Sequence, residues 1–211
     1  MKKSIGILLL MLVTSSLKPI SAQTQSIIGA GSNSGTSSNG ATGDGGPMYN
    51  TGGTSTFFYS RHHMLYTQSE LNAAGVIPGQ LIQKISWRKA NNAAIITPAT
   101  ILFNIHLKNS GLTSVPAAPQ DYATLIQGAT LVYSSTNQNF SADTGWVEFT
   151  LSSPFVYTGG SLELTTMWDM SLAGTGVSTA NFAWYKDPGS IISHVNSTQS
   201  TILNNNRTVR A

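Results

Sequence analysis

Residues 57–89, FFYSRHHMLYTQSELNAAGVIPGQLIQKISWRK, decide the fold class of this chain. They read as a strand, a single capped helical turn, a tight turn and a second strand. Thr67 and Glu70 have the T-x-x-E spacing of a capping box, in which each residue's side chain accepts from the other's backbone N–H. Gly75 can take the left-handed conformation that ends such a helix. Because so short a helix is unstable alone, Leu71 is predicted to be buried against the flanking strands.

Alternation of apolar and polar residues predicts strands on either side of the helical turn and beyond it. Between Thr100 and Lys108 the apolar positions are Ile101, Phe103, Ile105 and Leu107, and the polar ones Asn104, His106 and Lys108. In the second strand Leu81, Gln83, Ile85 and Trp87 are predicted on one face, and Lys84, Ser86 and Arg88 on the other. Further short runs separated by turn residues bring the total to seven to nine strands. The prediction is an all-β fold, an antiparallel β-sandwich or jelly roll with one short capped helix.

The first 22 residues have the organisation of a secretory signal peptide. Lys2 and Lys3 precede an apolar run from Ile5 to Val13, and Ser21-Ala22 offers small residues for cleavage before Gln23. The run is shorter than the roughly 20 residues that span a bilayer, so no membrane span is expected after cleavage. We predict secretion or a cell-surface location, with the periplasm as the alternative.

The remaining chain is weakly charged and free of cysteine. Charged residues make up 9% of the sequence, against about 25% in an average soluble domain, and without cysteine there is no disulfide or thiolate metal site. The formal charge of +3 comes from Lys2, Lys3 and Lys18, so cleavage leaves a net charge of zero. A nucleic-acid partner is therefore excluded. Residues 23–56, rich in Gly and Ser, are predicted to be a flexible arm, and residues 57–211 the β-sandwich domain.

Two sequence blocks resemble a family of secreted β-sandwich modules common in surface and exported proteins of Bacteroidota. The first, from Tyr66 to Ile85, is close to Y-x-x-S-E-L-x-A-A-G-(I/V)-x-x-G-x-I-x-x-I. The second, TGWVEFTLSSPFVYTGG, covers Thr144 to Gly160. IIGAG at Ile27–Gly31 is similar to the family's entry strand, and NNRTVR at Asn205–Arg210 to its closing strand, with Thr208 where proline is usual.

The resemblance implies a non-catalytic module of large surface or secreted proteins, often carried as type nine secretion cargo, with an adhesion or surface-structural role. It assigns no ligand-binding residues. The expected partner is an extracellular glycan or a surface protein, and the oligomeric state is left open.

The residues themselves predict neither a catalytic nor a metal site. There is no G-x-S-x-G elbow, no H-E-x-x-H helix and no cysteine nucleophile, so the chain is expected not to be an enzyme and to need no cofactor. His62 and His63 are neighbours on a strand and point to opposite faces, and nothing at usable spacing completes a zinc set with His106 or His194. Glu148 and Glu163 are interpreted as solvent-side strand residues.

Aromatic residues near strand ends suggest an alternative function, a carbohydrate-binding module. Trp168-Asp169 and Trp184-Tyr185 each place a flat ring beside a polar neighbour near a loop. These four residues are the candidate ligand contacts, provided that the rings are exposed. Trp87 and Trp146 are predicted to be core. An enzyme of unrecognised type is the third hypothesis, which a cleft with converging carboxylates or histidines would favour.

Overall fold

The computed structural model describes residues 24–28, 33–35, 46–48, 59–96, 100–116, 119–173, 182–196, 202–203 and 205–210. The predicted signal peptide lies outside them. The strands are β1 (Asn33–Gly35), β2 (Tyr59–Tyr66), β3 (Leu81–Lys89), β4 (Leu102–Ser110), β5 (Gln120–Asp121), β6 (Thr130–Ser135), β7 (Gly145–Val156), β8 (Ser161–Asp169), β9 (Trp184–Asn196), β10 (Ile202–Leu203) and β11 (Asn205–Arg210). The helices are α1 (Gln68–Ala73), α2 (Tyr122–Leu125) and a 3₁₀ turn (Ser171–Ala173). None of these helices has the length and apolarity needed to cross a membrane.

The strands form two antiparallel layers that share β9. The hydrogen-bonded order is β6-β4-β8-β2-β9-β3-β7, with β1 and β11 also paired to β9. In what we call the first sheet, β6, β4, β8 and β2 are followed by residues 193–196 of β9. In the second sheet, β7 and β3 are followed by the start of β9, where Trp184 pairs with Lys89. The predicted all-β sandwich is confirmed.

Aromatic and branched residues from both layers form one core. Phe103, Ile105 and Leu107 of β4 are fully buried, as their alternation predicts. The ring of Phe103 lies 5.2 Å from that of Phe149 on β7, which in turn packs edge-on against Trp87 at 5.5 Å. Contacts across the layers are therefore made by the residues that alternate inward on each strand.

One part of the predicted alternation is wrong because the pairing of β3 with β7 is irregular. Between the pairs Ile82–Phe155 and Lys84–Thr150, one residue of β3 lies opposite four residues of β7, so the bulge is in β7. An odd shift of register places the side chains before it on the opposite face. Leu81 is consequently 56% exposed and Gln83 is also exposed, whereas Ile85 and Trp87, after the bulge, face the core as predicted.

The helical turn α1 has the predicted caps at both ends. Thr67 Oγ1 accepts from the backbone N–H of Glu70, and the Thr67 N–H donates to Glu70 Oε2 at 2.8 Å. At the other end Gly75 has φ +80°, its N–H donates to the carbonyl of Asn72 at 3.0 Å, and the next N–H donates to that of Leu71 at 2.8 Å. This pair of bonds is a Schellman motif. Leu71 is 1% exposed, which confirms that the turn is held by burial.

Thr67→Ala is expected to lower the free energy of unfolding by about 1 kcal/mol, because it removes the side-chain half of the capping box. Gln68→Ala is the matched control, since Gln68 is exposed and lies one position further along the chain. Urea denaturation of both variants checks the prediction. Equal midpoints for the two variants would show that the cap does not stabilise α1.

The outer face of the first sheet is covered, although its polar side chains were expected in solvent. Residues 111–116 and 119–125 lie on this face and contribute Val115 and Leu125, which are 5% and 6% exposed. Beneath them Leu65 is fully buried, and Ser161 Oγ donates to the carbonyl of Leu112 at 2.5 Å. His106 on β4 is only partly exposed. In the described part of the chain, the outer face of the second sheet is therefore more open than that of the first, where Leu131 of β6 is still 46% exposed.

Two described pieces of residues 23–56 pack on the domain, so this part of the flexible-arm prediction needs correction. β1 pairs with β9, with Ser34 opposite Tyr185. The carbonyl of Pro47 accepts from Thr166 Oγ1 at 2.6 Å, and Met48 is 2% exposed. A side chain at Gly46 would collide with the indole of Trp184. Met48, an apolar residue within a polar stretch, therefore belongs to the hydrophobic core.

Candidate functional site

The two tryptophans predicted to contact a ligand lie inside the sandwich. Trp168 is fully buried and Trp184 is 4% exposed. Both rings pack around Phe140, at centroid distances of 5.6 and 6.0 Å, and Trp184 also stacks on Phe182 at 6.1 Å. Stacking on a sugar requires an exposed ring face. The described structure therefore gives neither ring the role that the sequence suggested.

The polar neighbours of these tryptophans lie on different sheets. Asp169 ends β8 and accepts from the backbone N–H of Ser171 at 2.8 Å. Tyr185 is partly exposed on the second sheet, where the guanidinium of Arg88 lies 4.3 Å from its ring centroid. Of the four candidate residues, Tyr185 is the one that lies on an open surface beside another side chain suited to binding, that of Arg88.

Trp146 is exposed, although it was predicted to be core. Its side chain is 49% exposed on β7, where Val147 and Phe149 point inward and Glu148 points outward. Arg88 pairs with Trp146 directly across β3 and β7. We define the Trp146 face as the outer side of the second sheet formed by Tyr185, Arg88, Trp146, Lys84 and Glu148. The alternation of WVEFTL already contained this signal, because Trp146 falls on the polar positions.

The Trp146 face carries two cationic side chains, Arg88 and Lys84, and one anionic side chain, Glu148. Lys84 Nζ lies 2.7 Å from Glu148 Oε1, and the two side chains are 40% and 49% exposed. Such a pair contributes about 0–1 kcal/mol to stability, so its main effect is to orient the two groups. The face thus offers ring stacking, hydrogen bonds and ion pairs to a partner.

A groove borders the Trp146 face along β7. It lies between residues 145–149 and the segment 138–144, and its volume is about 490 Å³. Its lining includes Ile96, Gln138, Asn139, Asp143, Trp146 and Glu148. Small-molecule sites commonly have volumes of about 300–1,000 Å³. The groove is therefore large enough for a ligand that also touches Trp146.

A buried lysine holds the walls of this groove together. Lys89 is 1% exposed, and its Nζ donates to the carbonyls of Ala93, at 2.8 Å, and Ser141. Burial lowers the pKa of Lys89, and the nearby carboxylate of Asp143 opposes that effect. The ammonium thus links β3 to the loops that contain Ala93 and Ser141. The sequence around Lys89 does not indicate that this lysine is buried.

A second cluster of charged groups is enclosed beneath α2. Glu163 was predicted to face solvent but is 3% exposed, and its Oε2 lies 3.0 Å from both His63 Nε2 and Lys108 Nζ. Burial raises the pKa of Glu163, but hydrogen bonds from His63, Ser110 and Lys108 outweigh it and lower the pKa to about 2. Lys108 also donates to the carbonyl of Leu125, so the cluster fastens α2 to the sheet.

The histidines considered as metal ligands do not converge in the described structure. His62 and His63 are both fully buried and belong to opposite faces of β2, the latter beside Glu163. Burial lowers the pKa of His106, whose ring lies 6.5 Å from that of Tyr122. The side chain of His194 lies outside the described residues. Among the described residues no group of three or more His, Cys, Asp or Glu side chains could hold a metal ion.

Comparison with protein-family models, with curated proteins and with solved structures gives no match for this chain. Its resemblance to the Bacteroidota modules therefore stays a prediction. Function has to be inferred from the geometry of the Trp146 face and the groove beside it.

Proposed function

We propose that this protein is an exported, non-catalytic β-sandwich module with an adhesion or surface-structural role, which binds a partner through the Trp146 face. The observation that carries the proposal is the 49% exposure of Trp146 on an open sheet face, with Arg88 opposite it and Tyr185 beyond. Trp, Tyr and Arg are the residue types most enriched at binding hot spots. Export rests on the leader-like residues 1–22.

The difference between the two outer faces supports this choice of surface. Residues 111–116 and 119–125 cover part of the first sheet, where Glu163 is 3% exposed. Within the described residues no segment covers the second sheet in the same way, and its aromatic and charged side chains stay in solvent. The open face carries residue types that are common at binding hot spots. It is therefore the surface suited to binding a partner.

The edge of β7 adds hydrogen-bonding groups to the same region. In the described structure β7 pairs only with β3, so part of its backbone faces outward beside Trp146. Such edges accept extended segments or other polar partners. Pro154, which lacks an N–H, and the bulge between Thr150 and Phe155 interrupt the edge further on. The usable edge is therefore the part from Gly145 to Thr150.

Trp146→Ala is expected to reduce adhesion at least tenfold. Fluorescent beads coated with the chain from Gln23 onward are washed over three kinds of surface: the chain itself, immobilised glycans and immobilised extracellular-matrix proteins. The wild type should be retained on at least one surface, and retention there should require the indole ring, because Trp146 is a large apolar side chain of the face that is 49% exposed.

The control for this experiment is Leu131→Ala. Leu131 is 46% exposed on β6, opposite His106 on the first sheet, so the change removes a similarly exposed apolar side chain from another face. Its retention should match the wild type. If no surface retains the wild type, or if both variants behave alike, the proposed function is wrong.

A second candidate function is a carbohydrate-binding module at a different place from the one predicted. Burial of Trp168 and Trp184 removes the rings on which that hypothesis was based. The groove beside Trp146 is a new reason to consider carbohydrate binding, because Asn139, Asp143 and Glu148 line the same groove as the exposed indole.

A further inference from the structure

The groove beside β7 is lined by an exposed aromatic ring and by polar side chains. Trp146 is 49% exposed, whereas Phe140 and Phe149, which also line the groove, are each 2% exposed and offer a ligand almost no surface. Asn139, Asp143 and Glu148 belong to the same lining. A sugar ring has the same two-sided character, with C–H groups that pack on an aromatic ring and hydroxyl groups at its edge.

The charge of the lining selects among sugars. Asp143 and Glu148 contribute two carboxylates, and no lysine or arginine belongs to the described residues that line the groove. The cations beside the lining already have partners, since Lys84 is paired with Glu148 and the buried Lys89 donates to the carbonyls of Ala93 and Ser141. Uronate, sulfate and phosphate groups would meet like charge here, which costs affinity. Neutral hydroxyl groups, in contrast, can donate to both carboxylates.

The groove is held in shape by bonds that do not involve a ligand. Ile95 and Phe140 exchange two backbone hydrogen bonds, of 3.0 and 2.9 Å, between the two loops. Ser141 Oγ donates to Asp143 Oδ2 at 2.9 Å, and Lys89 donates to the carbonyl of Ser141. A preformed site needs little ordering when the ligand arrives, so even a shallow groove can bind.

We propose that the groove between β7 and residues 138–144 binds a neutral oligosaccharide, with Trp146 stacked on a sugar ring and Asn139, Asp143 and Glu148 binding its hydroxyl groups. This inference rests on the proposed function, because Trp146 belongs to both surfaces. It names the ligand class of the contact module and the groove in which that ligand lies.

Tryptophan fluorescence tests the inference directly. Trp87, Trp168 and Trp184 are at most 4% exposed, so acrylamide should quench mainly Trp146. Neutral hexasaccharides of β-1,4-glucose, β-1,4-xylose and β-1,4-mannose are titrated into the chain from Gln23 onward, alongside hexagalacturonate and a heparin hexasaccharide. We expect at least one neutral sugar to reduce acrylamide quenching at least twofold, and neither acidic sugar to do so.

Calorimetry with the best neutral sugar locates the site. Trp146→Ala should weaken binding at least tenfold and Asp143→Ala at least threefold, whereas Leu131→Ala should stay within twofold of the wild type. Asp143 is exposed, so its loss should leave the fold intact, and thermal melting of each variant checks this.

The outcomes separate this inference from the proposed function. If no neutral sugar protects Trp146 while beads still adhere through Trp146, the inference is overturned and the contact function stands. Protection by an acidic sugar, or by an extended peptide in place of a sugar, also overturns the inference, because the ligand class is then different. If neither protection nor Trp146-dependent adhesion occurs, both fail.

Discussion

Replacing Glu163 with alanine is expected to lower the free energy of unfolding by about 3 kcal/mol. Its carboxylate lies between His63 and Lys108, 3.0 Å from each, next to residues 111–116 and 119–125. Its removal leaves the buried His63 without this hydrogen-bond partner and breaks the ion pair with Lys108, whose side chain is 25% exposed. Because Lys108 also donates to the carbonyl of Leu125, residues 119–125 should loosen with it.

The loss should depend on pH in a direction fixed by the pKa of Glu163. That pKa falls from an ordinary 4.5 to about 2 in the folded protein. A carboxyl group with a lowered folded pKa contributes stability that is complete above its unfolded pKa and disappears as the pH falls through the folded one. The contribution of about 3 kcal/mol should thus be present above pH 4.5 and decline between pH 4.5 and 2.

Urea denaturation of the wild type and Glu163→Gln at pH 7, 4 and 2.5 measures this dependence. The difference between the two proteins should be largest at pH 7 and smallest at pH 2.5. Glu148→Ala is the matched control, since it breaks the exposed pair with Lys84 and should change stability by about 0–1 kcal/mol. A constant difference across this pH range would mean that Glu163 is not ionised in the way described.

Phe140→Ala is expected to destabilise the domain by about 3–5 kcal/mol and also to weaken groove binding. The ring of Phe140 lies within 6.3 Å of five other aromatic rings, those of Phe103, Phe149, Trp168, Phe182 and Trp184. Truncation would leave a cavity at the centre of this cluster. The same residue exchanges hydrogen bonds with Ile95 in the groove wall, so a shifted backbone would misplace the wall.

Phe140→Leu separates packing volume from ring contacts. It keeps most of the volume and should cost clearly less than the alanine variant, and its groove should still bind the neutral sugar within about threefold. Thermal or urea denaturation and the acrylamide assay measure the two effects. Equal stability of Phe140→Ala and the wild type would show that the aromatic cluster is not the centre of the core.

Sequence patterns predicted those parts of the fold that depend on interactions between residues close together in the chain. The capping box of Thr67 and Glu70 and the glycine stop at Gly75 lie within nine residues, and both are confirmed. Alternation in β4 likewise predicted its buried face. These features depend on hydrogen bonds and side-chain periods that the chain specifies before any distant contact forms.

The site could not be predicted in the same way, because it depends on contacts between distant residues and on competition between two signals. Trp146 was predicted to be core because tryptophan is usually buried, although the alternation of its strand placed it on the outer face, where it lies. Trp184 is buried because Phe140 and Gly46 meet it from other parts of the chain. Glu163 is buried beside His63, which lies 100 positions away in the chain, and no residue of its own strand indicates that contact.

Because β9 belongs to both layers, the two sheets are joined by continuous backbone as well as by packing. Its beginning pairs with β3 next to the Trp146 face, and its end pairs with β2 in the other layer. A pulling force applied through a bound partner would therefore pass along β9 into the first sheet and load many ladder hydrogen bonds in shear at once. A tether built in this way should resist tension as one mechanical unit, with a single rupture event in a force-extension trace.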